Sequence, residues 1–198
     1  MTFWDTQATR WGVFSVPDED YDKYTARQTA FIVEQLAIDK GLVLDVGCGI
    51  GRLTFEVGTH CPDLDVLGVD TSPDMIEVAL DQQRTTLPVL SPAFVYVDDL
   101  SALLAPIYAG AWCVLVFQHL GEAPIREILR TVAGALRPGG VFVTQWMLDK
   151  DQAFPSRADV LRVLEEEGFE TVRYVDDSAV TRLWFADNWL WVTSERAL

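Results

Sequence analysis

Short apolar runs recur along the chain at Leu42–Val46, Val66–Val69, Phe94–Val97, Trp112–Phe117 and Val141–Trp146. Their length and β-branched content are those of strands buried on both faces. The segments between them carry apolar residues at helical spacing, so strand and helix alternate, which predicts an α/β fold with a parallel sheet covered by helices on both sides. Several helix boundaries are explicit. An early helix over about Tyr24 to Ile38 precedes the first strand. Ser72-Pro73 sets a capping hydroxyl before a proline at the first helical position, and Met75, Val78 and Ala79 follow on one face. Ile125, Leu129, Val132 and Leu136 mark a helix that starts near Ala123 and is stopped by Pro138-Gly139-Gly140. Ser156 with Asp159 three residues on forms a capping box for a helix that carries Val160 and Leu164 inward and ends at Gly168.

Beyond Gly168 the pattern changes. Thr171–Val175 and Trp189–Thr193 read as two strands with no long helix between them, a connection that permits antiparallel pairing. The expected sheet is therefore parallel with a mixed edge. No repeat, low-complexity tract or Ser/Gly-rich linker interrupts the chain.

Composition narrows the class. The 198 residues are 49% apolar and 23% charged, which fits one folded domain over 1–198 and excludes global disorder. Lys plus Arg number 15 against 30 Asp plus Glu, a formal charge of −15. That balance argues against nucleic acid, whose binding needs cations on phosphates, and against an anionic membrane surface. The longest apolar run, Ala111 to Phe117, falls far short of the ~18 residues of a spanning helix, and the N-terminal residues lack a signal-peptide pattern. Cys48, Cys61 and Cys113 form neither a disulfide framework nor a zinc pattern, so the expected setting is cytoplasmic, with reduced thiols and no metal.

The chemistry concentrates after the first strand. Gly47, Gly49 and Gly51 follow Val46 at alternate positions, where glycine permits a sharp turn and close approach of a ligand to the main chain. The spacing is G-x-G-x-G rather than the G-x-G-x-x-G of dinucleotide enzymes. Asp45, at the strand end, would repel a pyrophosphate and favour a ligand with positive charge or hydrogen-bond donors. The second strand ends in Asp70, suited to ribose hydroxyls, and the third in Asp98-Asp99. Three acidic strand ends thus fall on the carboxyl edge of the sheet, where open α/β sheets bind ligands.

With these features, the chain resembles the class I S-adenosylmethionine-dependent methyltransferases. The motifs are LDVGCGIG (44–51), GVDTSPDMIEVA (68–79), VDD (97–99), FQHL (117–120) and LRPGGVFV (136–143), in the family's order and approximate spacing across 41–148. The resemblance implies a Rossmann-like doubly wound sheet of seven strands, order 3-2-1-4-5-7-6, with strand 7 antiparallel. It implies S-adenosylmethionine as cofactor, S-adenosylhomocysteine as product, and in-line methyl transfer. Residues 41–148 would then be the cofactor core, 1–40 an N-terminal arm and helix, and 149–198 a C-terminal helix and two strands. By position, Gly47, Cys48 and Gly49 would pass beneath the methionine part, and Asp45 would sit near its amino group. Asp70 would hold the ribose, with Thr71 and Met75 near the adenine. Asp98 would accept from the adenine amino group and Asp99 would offer its backbone N–H. Phe117 would offer its carbonyl to the ammonium, and Arg27 would pair with the carboxylate.

A sulfonium methyl is already activated, so alignment and water exclusion matter most. A general base is needed only for an acceptor that carries its proton at neutral pH, and His119 is the candidate. His60 reads as structural. The acceptor site would draw on the loops after strands 4 and 5 and on residues 1–25, with Phe3, Trp4, Trp11, Phe14, Tyr21 and Tyr24 beside Asp18, Glu19 and Asp20, as a lid or as an arm packed on the sheet. Trp146, Met147 and Asp149 would line the acceptor pocket, whereas Trp184, Trp189 and Trp191 pack in the sheet or an interface. The acidic balance points to a small neutral or cationic acceptor and a monomer or homodimer. Two alternatives stand beside this reading: a cofactor-binding protein without turnover, and a nicotinamide-dependent oxidoreductase. The glycine spacing, Asp45 and the missing Tyr-x-x-x-Lys pair count against the latter.

Overall fold

The computed structural model describes residues 18–86, 92–98, 105–148, 155–181 and 189–197. Helix α1 (Asp18–Leu36) leads into β1 (Gly41–Val46), α2 (Arg52–His60), β2 (Leu64–Asp70), α3 (Pro73–Thr86) and β3 (Ala93–Tyr96). The second half runs β4 (Tyr108–Cys113), a 3₁₀ turn at Phe117–His119, α4 (Glu122–Ala135), β5 (Leu136–Met147), α5 (Arg157–Glu166), β6 (Phe169–Asp176), α6 (Asp177–Thr181) and β7 (Trp189–Arg196).

The seven strands form one sheet in the order β3-β2-β1-β4-β5-β7-β6. The five strands from β3 to β5 pair in parallel, and β7 is antiparallel to both neighbours. This is the Rossmann-like methyltransferase sheet the resemblance implies. Alternation along each central strand sends side chains to two cores. On one face Val43, Val66, Trp112, Val143 and Trp191 pack against Phe31, Ile32 and Leu36 of α1 and Leu53 and Val57 of α2. On the other, Leu44, Ala111, Phe142 and Leu190 meet Ile125, Leu129 and Val132 of α4 and Val160, Val163 and Leu164 of α5.

Local signals held where they were strongest. The Ser72 hydroxyl caps α3 by accepting the Met75 N–H at 3.3 Å, and the Ser156–Asp159 capping box is complete. Two expectations move. The fourth strand pairs over Tyr108–Cys113, not Trp112–Phe117. Its partners decide this, since Asp45 is opposite Trp112 near the end of β1 and Cys113 opposite Thr144 of β5. Beyond them Leu115 adopts φ 60° and the chain turns away. Helix α4 ends at Ala135, and Leu136 to Gly140 already belong to β5. The residue before Pro138 is biased to extended backbone, and a bulge between Tyr108 and Gly110 absorbs the register change.

Candidate functional site

The strand order reverses between β1 and β4, and a cavity of about 370 Å³ opens there at the carboxyl edge. Its size falls in the ~300–1,000 Å³ range of small-molecule sites. Asp45 to Gly49 form its floor, Val69 to Thr71 and Met75 one side, and Asp98 contributes from the end of β3. Val114 to Val116 form the wall after β4, and His119, Leu120, Pro124, Glu127 and Ile128 the wall toward α4.

The glycine loop is held by its backbone. The Gly47 and Cys48 N–H groups both donate to the Val69 carbonyl, at 2.9 and 3.0 Å, and the Gly51 N–H donates to the Cys48 carbonyl at 3.0 Å. Gly47 sits at φ 74°, and a Cβ there would come within 2.4 Å of Val116 Cγ2. Gly49, at φ 55°, faces open space, with only Met75 Sδ at 3.9 Å from a built Cβ. The main chain at Gly49 is therefore open to close approach of a ligand.

Two carboxylates organise the floor. Asp70 Oδ2 accepts the Gly49 N–H and Oδ1 the Ser72 N–H, both at 2.8 Å, so one side chain clamps the loop to the start of α3. Burial raises its pKa, against the pull of those N–H donors. Asp45 is 3% exposed, and the Thr54 hydroxyl donates to its Oδ2 at 2.6 Å. Burial pushes the Asp45 carboxyl from its usual 3.8 up to about 7, with the Thr54 bond pulling the other way. Burial beside both carboxylates also pushes the Cys48 thiol up, so it is a wall of the site rather than a thiolate.

The raised Asp45 pKa makes a prediction about stability. The ionised form is penalised only in the fold, so the penalty is absent below the unfolded pKa, grows as pH rises from about 4 to 7 and is constant above. It is worth a few kcal/mol at most. Asp45→Asn keeps an acceptor for Thr54 and removes the charge. Its melting temperature should exceed the parent's by more at pH 8 than at pH 5, read by differential scanning fluorimetry. An equal shift at both pH values would contradict the burial argument.

The structure places most of the expected residues at this cavity: Asp45, Gly47, Cys48, Gly49, Asp70, Thr71, Met75, Asp98 and His119 all line it. Asp98 is exposed there and accepts a hydrogen bond from the Tyr96 phenol. Asp99, Asp149, Trp184 and residues 1–17 lie outside the described residues.

Four expectations change. Arg27 is exposed on α1, because Tyr24, Thr25, Gln28 and Phe31 define the buried face and position 27 falls off it. The arginine in the cavity wall is Arg52, which opens α2. Its Nη1 donates to Thr25 Oγ1 at 3.0 Å, its guanidinium lies 5.9 and 6.0 Å from the Tyr21 and Tyr24 ring centres, and burial lowers its pKa. A cation at a helix N-terminus opposes the macrodipole, and that mismatch was a legible signal. Phe117 is 3% exposed and packs on Trp146 at 4.4 Å, while its carbonyl accepts the Leu120 N–H at 3.1 Å. The residues after β4 that line the cavity are Val114 to Val116 instead. Trp146 is fully buried, so it belongs to the core and not to a pocket, and Met147 is exposed outside the cavity wall. Leu115, in a conformation rare for non-glycine residues, had no sequence signal.

His119 is exposed on the α4 side, within 2.9 Å of the Gln118 amide nitrogen, and partial burial lowers its pKa. His60 is exposed on α2, with Nδ1 2.8 Å from the Glu56 carbonyl, away from the cavity. Among the described residues, no group of three His, Cys, Asp or Glu is placed to hold a metal, and no helix is long and apolar enough to cross a membrane.

A doubly wound sheet with acidic strand ends around a glycine turn defines the class I methyltransferase type of site. The sequence profile described as methyltransferase domain matches residues 44–142, half of the chain, and the chain belongs to that family. It is 38% identical over 106 residues to trans-aconitate 2-methyltransferase of Methylobacterium radiotolerans, covering 52% of this chain and 37% of that protein. It is 25% identical over 182 residues to the ubiquinone/menaquinone biosynthesis C-methyltransferase of Syntrophotalea carbinolica, covering 73% and 75%. The matches to the first curated relatives span only about two fifths of their length. Among solved structures, magnesium protoporphyrin IX methyltransferase from Synechocystis PCC 6803 with bound SAM shares the fold, with TM-score 0.75, 20% identity and coverage of 99% of this chain and 92% of that one.

Proposed function

We propose that this chain is an S-adenosylmethionine-dependent methyltransferase acting on a small molecule. The observation that carries the reading is the convergence of Asp45, Asp70 and Asp98, from three successive strand ends, on the one cavity floored by Gly47 and Gly49. That donor set fits the cofactor. The open face of Gly49 admits an extended ligand against the main chain, and an ammonium beside Asp45 would favour the ionised form that burial penalises. When bound, the cofactor supplies an electrophilic methyl group on a sulfonium.

The chain's own residues bind and orient. Asp45 would meet the amino group, Arg52 the carboxylate, and Asp70 would accept from the ribose hydroxyls. Thr71, Met75 and Asp98 would border the adenine. Val114 to Val116, which line the cavity after β4, would take the part expected of Phe117. Relatives named for trans-aconitate and for ubiquinone/menaquinone biosynthesis support a small-molecule acceptor. The surplus of acidic residues favours a neutral or cationic one. Incubation with methyl-labelled S-adenosylmethionine and a small-molecule extract should yield a labelled small product that requires the protein. Label appearing only in macromolecules would contradict the reading.

His119, in the cavity wall, is the candidate for taking a proton from the acceptor. Its lowered pKa means that the imidazole is already neutral, and able to accept, at neutral pH. The rate should rise with pH along an acid limb whose midpoint lies below the ordinary histidine value. His119→Asn should remove that acid limb and slow turnover about tenfold to a thousandfold, with cofactor affinity unchanged. An unaltered pH profile would assign His119 a purely structural place in the loop.

A further inference from the structure

Under the proposed function, Asp45, Asp70 and Asp98 are taken up by the cofactor, and a fourth carboxylate at the cavity, Glu127, is not. Glu127 lies on α4 and shares a helix face with Pro124 and Ile128, both also in the cavity wall. The arginines beside it on α4 point elsewhere. Arg126 pairs with Glu122 at 2.8 Å, Glu166 at 2.6 Å and Glu167 at 3.1 Å, and Arg130 pairs with Glu167 at 3.1 Å. Among the described residues, no ion pair or hydrogen bond engages Glu127 itself.

The opposite sign is scarce in this cavity. Its only arginine or lysine among the described residues is Arg52, which belongs to the α1–α2 layer on the other face of the sheet and is tethered to Thr25. Toward α4 the wall offers one free carboxylate, an imidazole held toward its neutral form, and the apolar Leu120, Pro124 and Ile128. The formal charge of −15 adds a field that concentrates cations.

We infer that the acceptor is a small molecule with a cationic nitrogen on an apolar body, its cation paired with Glu127 and its apolar part on Leu120, Pro124 and Ile128; this rests on the methyltransferase reading. An anionic acceptor such as trans-aconitate would meet like charge at the same place. Glu127 is therefore a specificity-determining residue.

The test uses the full chain saturated with S-adenosylhomocysteine and a pair of probes of one skeleton, benzylammonium and benzoate, titrated by calorimetry or ligand-observed NMR. Benzylammonium should bind about tenfold tighter or more. Glu127→Gln should shrink that preference to about threefold or less while leaving the S-adenosylhomocysteine affinity unchanged. Glu127 is exposed on its helix, so the variant keeps its fold, checked by its melting temperature. Equal binding, a preference for benzoate, no binding of either probe, or a preference that survives in Glu127→Gln overturns the inference. Failure of S-adenosylhomocysteine to bind would instead overturn the cofactor reading beneath it.

Discussion

Gly51→Ala should unfold at a temperature roughly 5–15 °C below the parent. Gly51 precedes α2 at φ 85°, a left-handed conformation that costs a residue with a side chain about 1–2 kcal/mol. A Cβ there would also lie 2.7 Å from Phe94 Cε1 and Cζ and 2.9 Å from Phe55 Cε2. These two rings pack on each other at 5.0 Å, so neither can withdraw without opening the other's contact. Overpacking of this kind costs about 1–3 kcal/mol more. The total of ~2–5 kcal/mol is a large share of a domain's stability, and each kcal/mol moves the midpoint by about 2–4 °C at this size. The cheapest relaxation displaces the loop from Gly47 to Gly51, so ligand affinity should fall with stability. A melting temperature within about 2 °C of the parent would contradict this close packing around Gly51.

The second large effect is on binding. Asp70→Ala should weaken S-adenosylhomocysteine binding by about tenfold to a hundredfold, because hydrogen bonds to a charged group contribute about 1.5–3 kcal/mol. The substitution removes the acceptor of the Gly49 and Ser72 N–H groups as well as the proposed ribose contact, so the loop loses its clamp and the ligand its anchor together. Asp70→Asn retains one carboxamide oxygen and can serve only one of those donors, so its affinity should fall between the two. Calorimetric titration of the three proteins gives the order directly. Equal affinity in all three would sink the placement of the ribose at Asp70.

The parts of this architecture that were readable from the chain are those written in local chemistry. Ser72-Pro73 and Ser156 with Asp159 announce helix starts through side chains that satisfy orphan N–H groups, and both caps are present. The acidic strand ends and the glycine turn were readable because strand periodicity and chain direction put them on one edge. What stayed hidden depended on partners distant in sequence. Val114 to Phe117 has the composition of a strand, yet β4 stops at Cys113 and Leu115 turns to φ 60°. Arg27 and Arg52 are both near the site in sequence, but helical phase leaves the first in solvent and the wall takes the second. Phe117 and Trp146 are large aromatic residues near strand ends, and only their mutual packing shows that they fill the core.

The central claim is that this cavity takes S-adenosylmethionine and not a dinucleotide. The most direct test is isothermal titration calorimetry of the purified chain with S-adenosylhomocysteine, with NADH as control. The site built from Asp45, Asp70 and Asp98 predicts micromolar binding of the first and none of the second. Binding of NADH, or of neither ligand, would contradict it.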